Sequence, residues 1–232
     1  MCDRTQAPAA RYGAGLFRNR FLSGILLFFF HVSSVPGSGG PVRPRGPVTQ
    51  FQALLKQAPR ITPAALDTAL TALHRLQASG ARVRADVLMV IDYTKPSTER
   101  RLWVFDLNRA RVLFEELVAH GRNSGDKFAV RFSNQPSSLM SSLGAFLTGD
   151  TYIGKHGLSL RLQGLERNLN DKSMERAIVI HAADYVSERL GRREGRIGRS
   201  WGCPAVRPEI SRQLIQAVQG GALLFSYYPE KS

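Results

Sequence analysis

Apolar residues recur every three or four positions between residues 49 and 58, at Phe51, Leu54, Leu55 and Ala58, and this spacing predicts a helix. Pro59 breaks it. Thr62-Pro63 opens a second helix, with Thr62 as N-cap and Pro63 in the first helical position. Ile61 and Leu66 are spaced for a hydrophobic staple. Leu66, Ala69, Leu70 and Leu73 continue one face until Ser79-Gly80 ends it. His74 on this helix reads as a packing or surface residue. The pair forms a helical hairpin, either a small lid or an element docked on the domain behind it.

From Asp86 the period changes. Val87–Tyr93 is an apolar run suited to a buried strand, Arg101–Leu107 nearly alternates, and Arg111–His120 is strand-like with a helix as alternative. Short turns at 94–100 and 108–110 join them into an antiparallel meander. Residues 126–150 carry the turn Ser133-Asn134-Gln135-Pro136 and a serine-rich stretch, and read as an extended loop beside a site. Leu158–Leu165 alternates as a strand. Arg176–His181 is a short apolar strand with a histidine at its end. Pro208 opens a helix with Ile210, Leu214, Ala217 and Val218 inward, closed by Gly220-Gly221, and Ala222–Tyr228 is a last strand. The fold class is mainly β with flanking helices (β+α).

The first forty residues break this pattern. Arg11, Arg18 and Arg20 precede the apolar run Phe21–Val32, which has signal-peptide length and is short for a membrane span. Small residues from Ser33 to Gly40 offer a cleavage region, without a clean Ala-x-Ala site. Residues 1–40 are therefore a signal peptide or an uncleaved N-terminal anchor plus linker, residues 41–84 a proline-rich linker and the hairpin, and residues 85–232 the main domain. Export to a periplasm or cell envelope is expected on either reading. The formal net charge is +14. Arg4, Arg11, Arg18 and Arg20 against Asp3 account for +3 of it, leaving +11 for residues 41–232. That balance suits an anionic partner, but the basic residues are scattered and no aromatic-interleaved nucleic-acid motif appears. Nucleic acid is not an expected partner. Membrane contact is expected only if the leader stays uncleaved, and the oligomeric state is left open.

The leader changes the meaning of the cysteines. The chain has two, Cys2 and Cys203, and removal of the leader leaves Cys203 alone. A lone thiol in an exported chain is either buried and inert or reactive. Cys203 sits in Ile-Gly-Arg-Ser-Trp-Gly-Cys-Pro-Ala-Val, residues 197–206, a turn composition rather than an apolar strand. This points to a nucleophile. A thiol pKa of about 8.5 requires a base or a positive field at neutral pH. His181, 22 residues upstream at a strand end, is the candidate base, although a hydrogen-bonded core histidine is its ordinary alternative. Backbone amides of Trp201, Gly202 and Cys203 are candidate oxyanion donors beside Ser200. The Ala182 carbonyl, or the side chain of Asp184, can orient the histidine. His156, Tyr152, Arg199 and Arg196 are candidate substrate contacts, with solvated loop charges as the alternative for the arginines. His156, His181 and Cys203 lack a zinc-binding spacing, so neither metal nor cofactor is expected.

Ile180-His181, followed by Ser200-Trp201-Gly202-Cys203-Pro204-Ala205, resembles the catalytic signature of YkuD-type L,D-transpeptidases, in particular the murein L,D-transpeptidase catalytic-domain branch. The likeness extends over roughly residues 86–228, including Tyr152-Ile153-Gly154-Lys155-His156-Gly157 and Gly195–Ser200. It implies an L,D-transpeptidase-like β-sandwich or barrel in the bacterial cell envelope, acting on peptidoglycan stem peptides. It implies that Cys203 attacks the carbonyl before the terminal D-alanine, with His181 as the base. An amine of a neighbouring stem then resolves the thioester into a 3→3 cross-link. Two positions depart from the common pattern: Trp201 stands where a histidine is usual, and Ala182 where a glycine is usual. An L,D-carboxypeptidase with water as acceptor, and a non-catalytic cell-wall-binding domain, are the alternative functions.

Overall fold

The computed structural model describes residues 47–229. The expected leader, Cys2 and the linker up to residue 46 lie outside the described residues. Two helices come first, α1 (Pro47–Gln57) and α2 (Pro63–Ala78). The strands are β1 (Val87–Asp92), β2 (Leu102–Asp106), β3 (Arg111–Glu116), β4 (Gly144–Gly154), β5 (Gly157–Gly164), β6 (Val179–Ala182), β7 (Ala205–Val206) and β8 (Leu223–Tyr227). Helix α3 (Glu188–Glu194) lies between β6 and β7, and α4 (Pro208–Val218) between β7 and β8. The strands make one sheet in the order β3-β2-β1-β8-β4-β5-β6-β7. The β1–β8 and β6–β7 pairs are parallel, and the other neighbours are antiparallel. The class is mainly β with flanking helices, as the pattern of apolar positions predicts.

The apolar run of β1 has a simple cause: both faces of the sheet are covered. Side chains alternate across a strand. Val87, Met89 and Ile91 therefore enter one core, together with Val104, Leu224 and the α4 residues Leu214, Ile215 and Val218. Leu88 and Val90 enter the other, with Trp103, Phe105, Leu223 and Phe225. Leu54 of α1 and Leu66, Ala69, Leu70 and Leu73 of α2 close this second core. The hairpin is thus a layer of the fold. Its junction is tied to β1 as well: the Thr62 amide donates to the buried Asp92 Oδ2 at 3.0 Å. Thr62 has the extended backbone of an N-cap, but its hydroxyl does not cap the helix. It meets the Thr94 hydroxyl at 3.2 Å instead.

Three elements differ from the sequence reading. The stretch expected to be loop up to residue 150 contains most of β4, whose pairing with β5 shifts between Thr148 and Thr151. Such a bulge interrupts the alternation that identifies a strand. The arginine-rich connection after β6 contains α3, capped by Ser187 Oγ accepting from the Leu190 amide at 3.2 Å. β3 ends at Glu116 rather than His120. Residues beyond it leave the meander and bridge to the far edge of the sheet, Val118 with Val206 and Gly121 with Ser200.

Candidate active site

Strand register brings the chemistry together. Tyr152 pairs with Ser159, Ser159 with His181, and His181 with Ala205, in one row across β4, β5, β6 and β7. Ala205 follows Cys203 by two residues, so the parallel β6–β7 pair sets the thiol turn beside the histidine. The turn is held on several sides. The Gly198 amide donates to Tyr185 O at 2.8 Å, and a Cβ on Gly198 would lie 2.4 Å from the Tyr185 Cβ. The Ser200 amide donates to His120 O at 2.9 Å, and Ser200 O accepts from the Arg122 amide at 2.8 Å. Ser200 Oγ donates to Cys203 O at 2.6 Å and accepts from the Gly202 amide at 3.1 Å. Gly202 has φ +123°, and a Cβ there would meet Met140 O at 2.7 Å. Glycine is needed on both counts.

Cys203 is a buried thiol in no disulfide, and its Sγ donates to Ala177 O at 3.6 Å. His181 is buried too, and its Nδ1 lies 2.8 Å from Ala182 O. A carbonyl can only accept, so Nδ1 carries the proton and Nε2 the lone pair. Nε2 has no hydrogen-bond partner among the described residues. Burial pushes the His181 pKa down to about 4, opposed by the Ala182 bond and reinforced by the neighbouring His156 and Lys155. The ring is therefore neutral at neutral pH. His156 stacks on it, with ring centroids 4.3 Å apart and planes at 24°.

Lys155, His156, His181, Tyr185, Arg199, Ser200, Trp201 and Cys203 line one cleft of about 170 Å³. Trp201 is exposed there. Of the residues the sequence singles out, Cys203, His181, His156, Ser200, Trp201 and Arg199 therefore meet. Gly202 shapes the turn, and its amide is already held by Ser200. Ala182, not the exposed Asp184, holds the base. Tyr152 and Arg196 do not line the cleft. The Tyr152 ring lies under the Arg161 guanidinium at 4.5 Å, and Arg196 Nε pairs with Asp126 Oδ1 at 2.9 Å. Arg199 also reaches Asp126, at 3.3 Å, and donates to Gly125 O at 3.0 Å. Tyr185 carries no motif signal, and Lys155 lies within the Tyr152–Gly157 motif without being a candidate contact; both line the cleft.

A second buried histidine lies behind the turn. Arg101 donates to His120 Nδ1 at 2.7 Å, and the His120 Nε2–H donates to Gly125 O at 3.4 Å. Burial, then the Arg101 charge, pushes its pKa down to about 4. Arg101 is itself fully buried, bonded to the carbonyls of Val118 and Lys95, and pushed down to about 10 by burial. A larger cleft of about 450 Å³, lined by Arg60, Arg100, Glu188 and Arg192 among others, contains neither thiol nor imidazole. Its charges pair with carboxylates, as in Arg60–Glu115 and Arg100–Glu188, both at 2.7 Å. Among the described residues no group of three or more His, Cys, Asp or Glu side chains could hold a metal ion.

Residues 57–227 match the family model of the L,D-transpeptidase catalytic domain. The chain belongs to the L,D-transpeptidase catalytic-domain family. The match begins at the end of α1 and so includes α2, beyond the reach of the motifs themselves. No curated protein matches the chain. Solved structures similar to this L,D-transpeptidase domain include an L,D-transpeptidase from Mycobacterium smegmatis, at 13% identity over 62% of this chain and 59% of that one, with a TM-score of 0.40. The helical cell shape determining protein Pgp2 from Campylobacter jejuni is 17% identical over 63% of this chain and 50% of its own, with a TM-score of 0.39. An L,D-transpeptidase from Xylanimonas cellulosilytica is 17% identical over 77% of this chain and 80% of its own, with a TM-score of 0.36. The chain thus spans 59% of the mycobacterial structure and 50% of Pgp2. The L,D-transpeptidase family acts on peptidoglycan stem peptides, outside the cytoplasm. Among the described residues no helix of this L,D-transpeptidase domain is long and apolar enough to cross a membrane.

Proposed function

We propose that the protein is an exported peptidoglycan L,D-transpeptidase working through a Cys203 thioester. The observation that carries this reading is the shared cleft of Cys203 and His181, with Nδ1 of His181 held by Ala182 O and its Nε2 lone pair unclaimed among the described residues. The thiol first leaves the Ala177 carbonyl. Its proton passes to His181 Nε2, and the electron pair stays on sulfur. The thiolate attacks the stem-peptide carbonyl before the terminal D-alanine. Amides of the turn at Trp201 and Cys203 face the oxyanion, since the Gly202 amide is engaged by Ser200. The tetrahedral intermediate expels D-alanine, whose amine takes the proton from His181. A thioester results. An amine of a second stem then attacks it, His181 accepts the excess proton, and a 3→3 cross-link forms as the thiol is restored. Lys155 and Arg199 make the cleft positive, which suits the carboxylates of the donor stem.

The test is incubation of the purified protein with tetrapeptide stems, followed by mass spectrometry of protein and products. The expected result is an adduct on Cys203 with loss of D-alanine, and a cross-linked dimer of stems. Cys203→Ala should give neither. Absence of any adduct on the wild type would sink the enzyme reading. A tripeptide product with no dimer would make the protein a carboxypeptidase.

A further inference from the structure

His181 has one in-plane restraint, the Nδ1–H bond to Ala182 O at 2.8 Å. That bond leaves the ring free to tilt about the bond's own axis. The missing restraint comes from another strand pair. Gly154 pairs with Gly157, so Lys155 and His156 form a two-residue hairpin tip. Gly157, at φ +73°, is the left-handed residue that follows the two tip residues, neither of which has a positive φ, as in a hairpin closed by a type I turn and a G1 bulge. The β5–β6 register then lays this tip over His181, and the His156 ring covers one face of the base at 4.3 Å and 24°. A hydrogen bond in the plane and a ring against the face restrain the imidazole in two independent directions.

The charges around the pair add a second effect. The hairpin contributes Lys155, the segment after β6 contributes Tyr185, and the thiol turn contributes Arg199 and Cys203. No carboxylate lines the cleft among the described residues. Two imidazoliums stacked at 4.3 Å would repel each other, and the Lys155 charge adds to that repulsion, which disfavours protonation of both rings together.

On the reading of Cys203 and His181 given above, we propose that His156 is a positioning residue for the base: stacked on His181, it fixes the ring's plane and keeps it unprotonated until the thiol delivers its proton. The proton then rests on Nε2, aimed at the leaving amine. The S–H bond is exchanged for an N–H bond, and no proton is needed from solvent.

The experiment compares the full-length wild type with His156→Phe and His156→Ala, using two readouts. One is the NMR titration of the His181 ring, with a His181→Gln variant to assign the signal. The other is the pH dependence of Cys203 acylation by a tetrapeptide stem. Phe keeps a ring against the base but carries no charge, and a cation is stabilised over an aromatic face. In both variants the His181 midpoint should rise by about half a pH unit or more. The acid limb of the rate profile should move up with it. At saturating donor, His156→Ala should acylate roughly tenfold slower, since small misplacements of a reacting group cost up to ~100-fold. His156→Phe should retain most of the rate, and KM should stay near the wild-type value in both. An unmoved His181 midpoint in His156→Phe would overturn the proposal. So would an effect confined to KM, which would make His156 a substrate contact. The titration needs no substrate, so a wild type that forms no adduct refutes the thioester mechanism while the ring pairing is still decided by NMR.

Discussion

His120 and His181 both adjoin the turn that carries Cys203, and burial treats them alike. Each is pushed to a pKa of about 4, so each is neutral at neutral pH. Their hydrogen bonds separate them. His120 spends both nitrogens, accepting from Arg101 and donating to Gly125 O. His181 spends one, on Ala182 O, and lines a cleft with a thiol. A depressed imidazole therefore says nothing by itself about catalysis. The number of nitrogens left for chemistry separates the two rings, set by Ala182 O at His181 and by Arg101 together with Gly125 O at His120. His120 is a structural strut between the buried Arg101 and the loop that holds Ser200, whereas His181 is the base of the mechanism proposed above.

The sharpest way to break this contrast is to remove each ring in turn. His181→Ala should slow Cys203 acylation by ~10²–10⁴-fold, the usual contribution of a positioned base, with little change in melting temperature. Time-resolved mass spectrometry of the adduct measures it. A loss below tenfold would mean that another group takes the thiol proton.

Acid should affect the two rings equally. The unfolded chain protonates its histidines near 6.5, whereas these two stay neutral in the folded state down to about 4. Between those values the unfolded state binds more protons. Stability contributed above pH 6.5 is therefore lost as pH falls through this window, on the order of 3 kcal/mol per ring. Denaturant unfolding at pH 7, 5.5 and 4.5 should reveal the slope, and His120→Gln should remove about half of it. If the slope is unchanged, His120 is not buried as a neutral ring.

His120→Ala at pH 7 should cost about 1–3 kcal/mol by stranding a buried Arg101 N–H, while the acylation rate of the folded protein stays within a few-fold of wild type. Equilibrium unfolding and the adduct assay check the two halves. The smallest effect belongs to Arg196. Its ion pair with the exposed Asp126 is worth at most about 1 kcal/mol, and Arg196 lies outside the cleft. Arg196→Ala should leave acylation unchanged. A clear rise in KM would return it to the substrate-binding set.

The thiol turn and the histidine that shares its cleft are legible in the sequence because their signals are local: a glycine-rich turn around a lone cysteine, and a histidine ending an apolar strand. The buried meander is legible because both faces of β1 and β2 are covered and nearly every residue is apolar. The hidden features depend on register. Gly149 and Asp150 sit in the β4 bulge and erase its alternation. α3 is seven residues long, mostly charged, and its single buried residue is Gly191, so it has no apolar stripe to read. Arg101 and His120 are nineteen residues apart, on segments that meet only after the chain leaves β3. The contact of His156 with His181 requires two successive strand pairings. Tyr152 and Arg196 carry motif signals but point elsewhere, one packed under Arg161 and the other clamped by Asp126.

The place of β8 has a consequence for how the protein folds. It lies between β1 and β4, and among the described residues no other strand joins the meander to the half of the sheet that carries His181 and sets Cys203 beside it. Until Leu223–Tyr227 is in place, the two half-sheets have no shared strand, and the cores on both faces lack Leu223, Leu224 and Phe225. Completion of the sheet therefore depends on a long-range pairing, Leu88 with Leu223 through Asp92 with Tyr227, which is a slow kind of contact to form. The half-sheet that sets Cys203 beside His181 is therefore tied to the meander through β8, a strand far downstream of both.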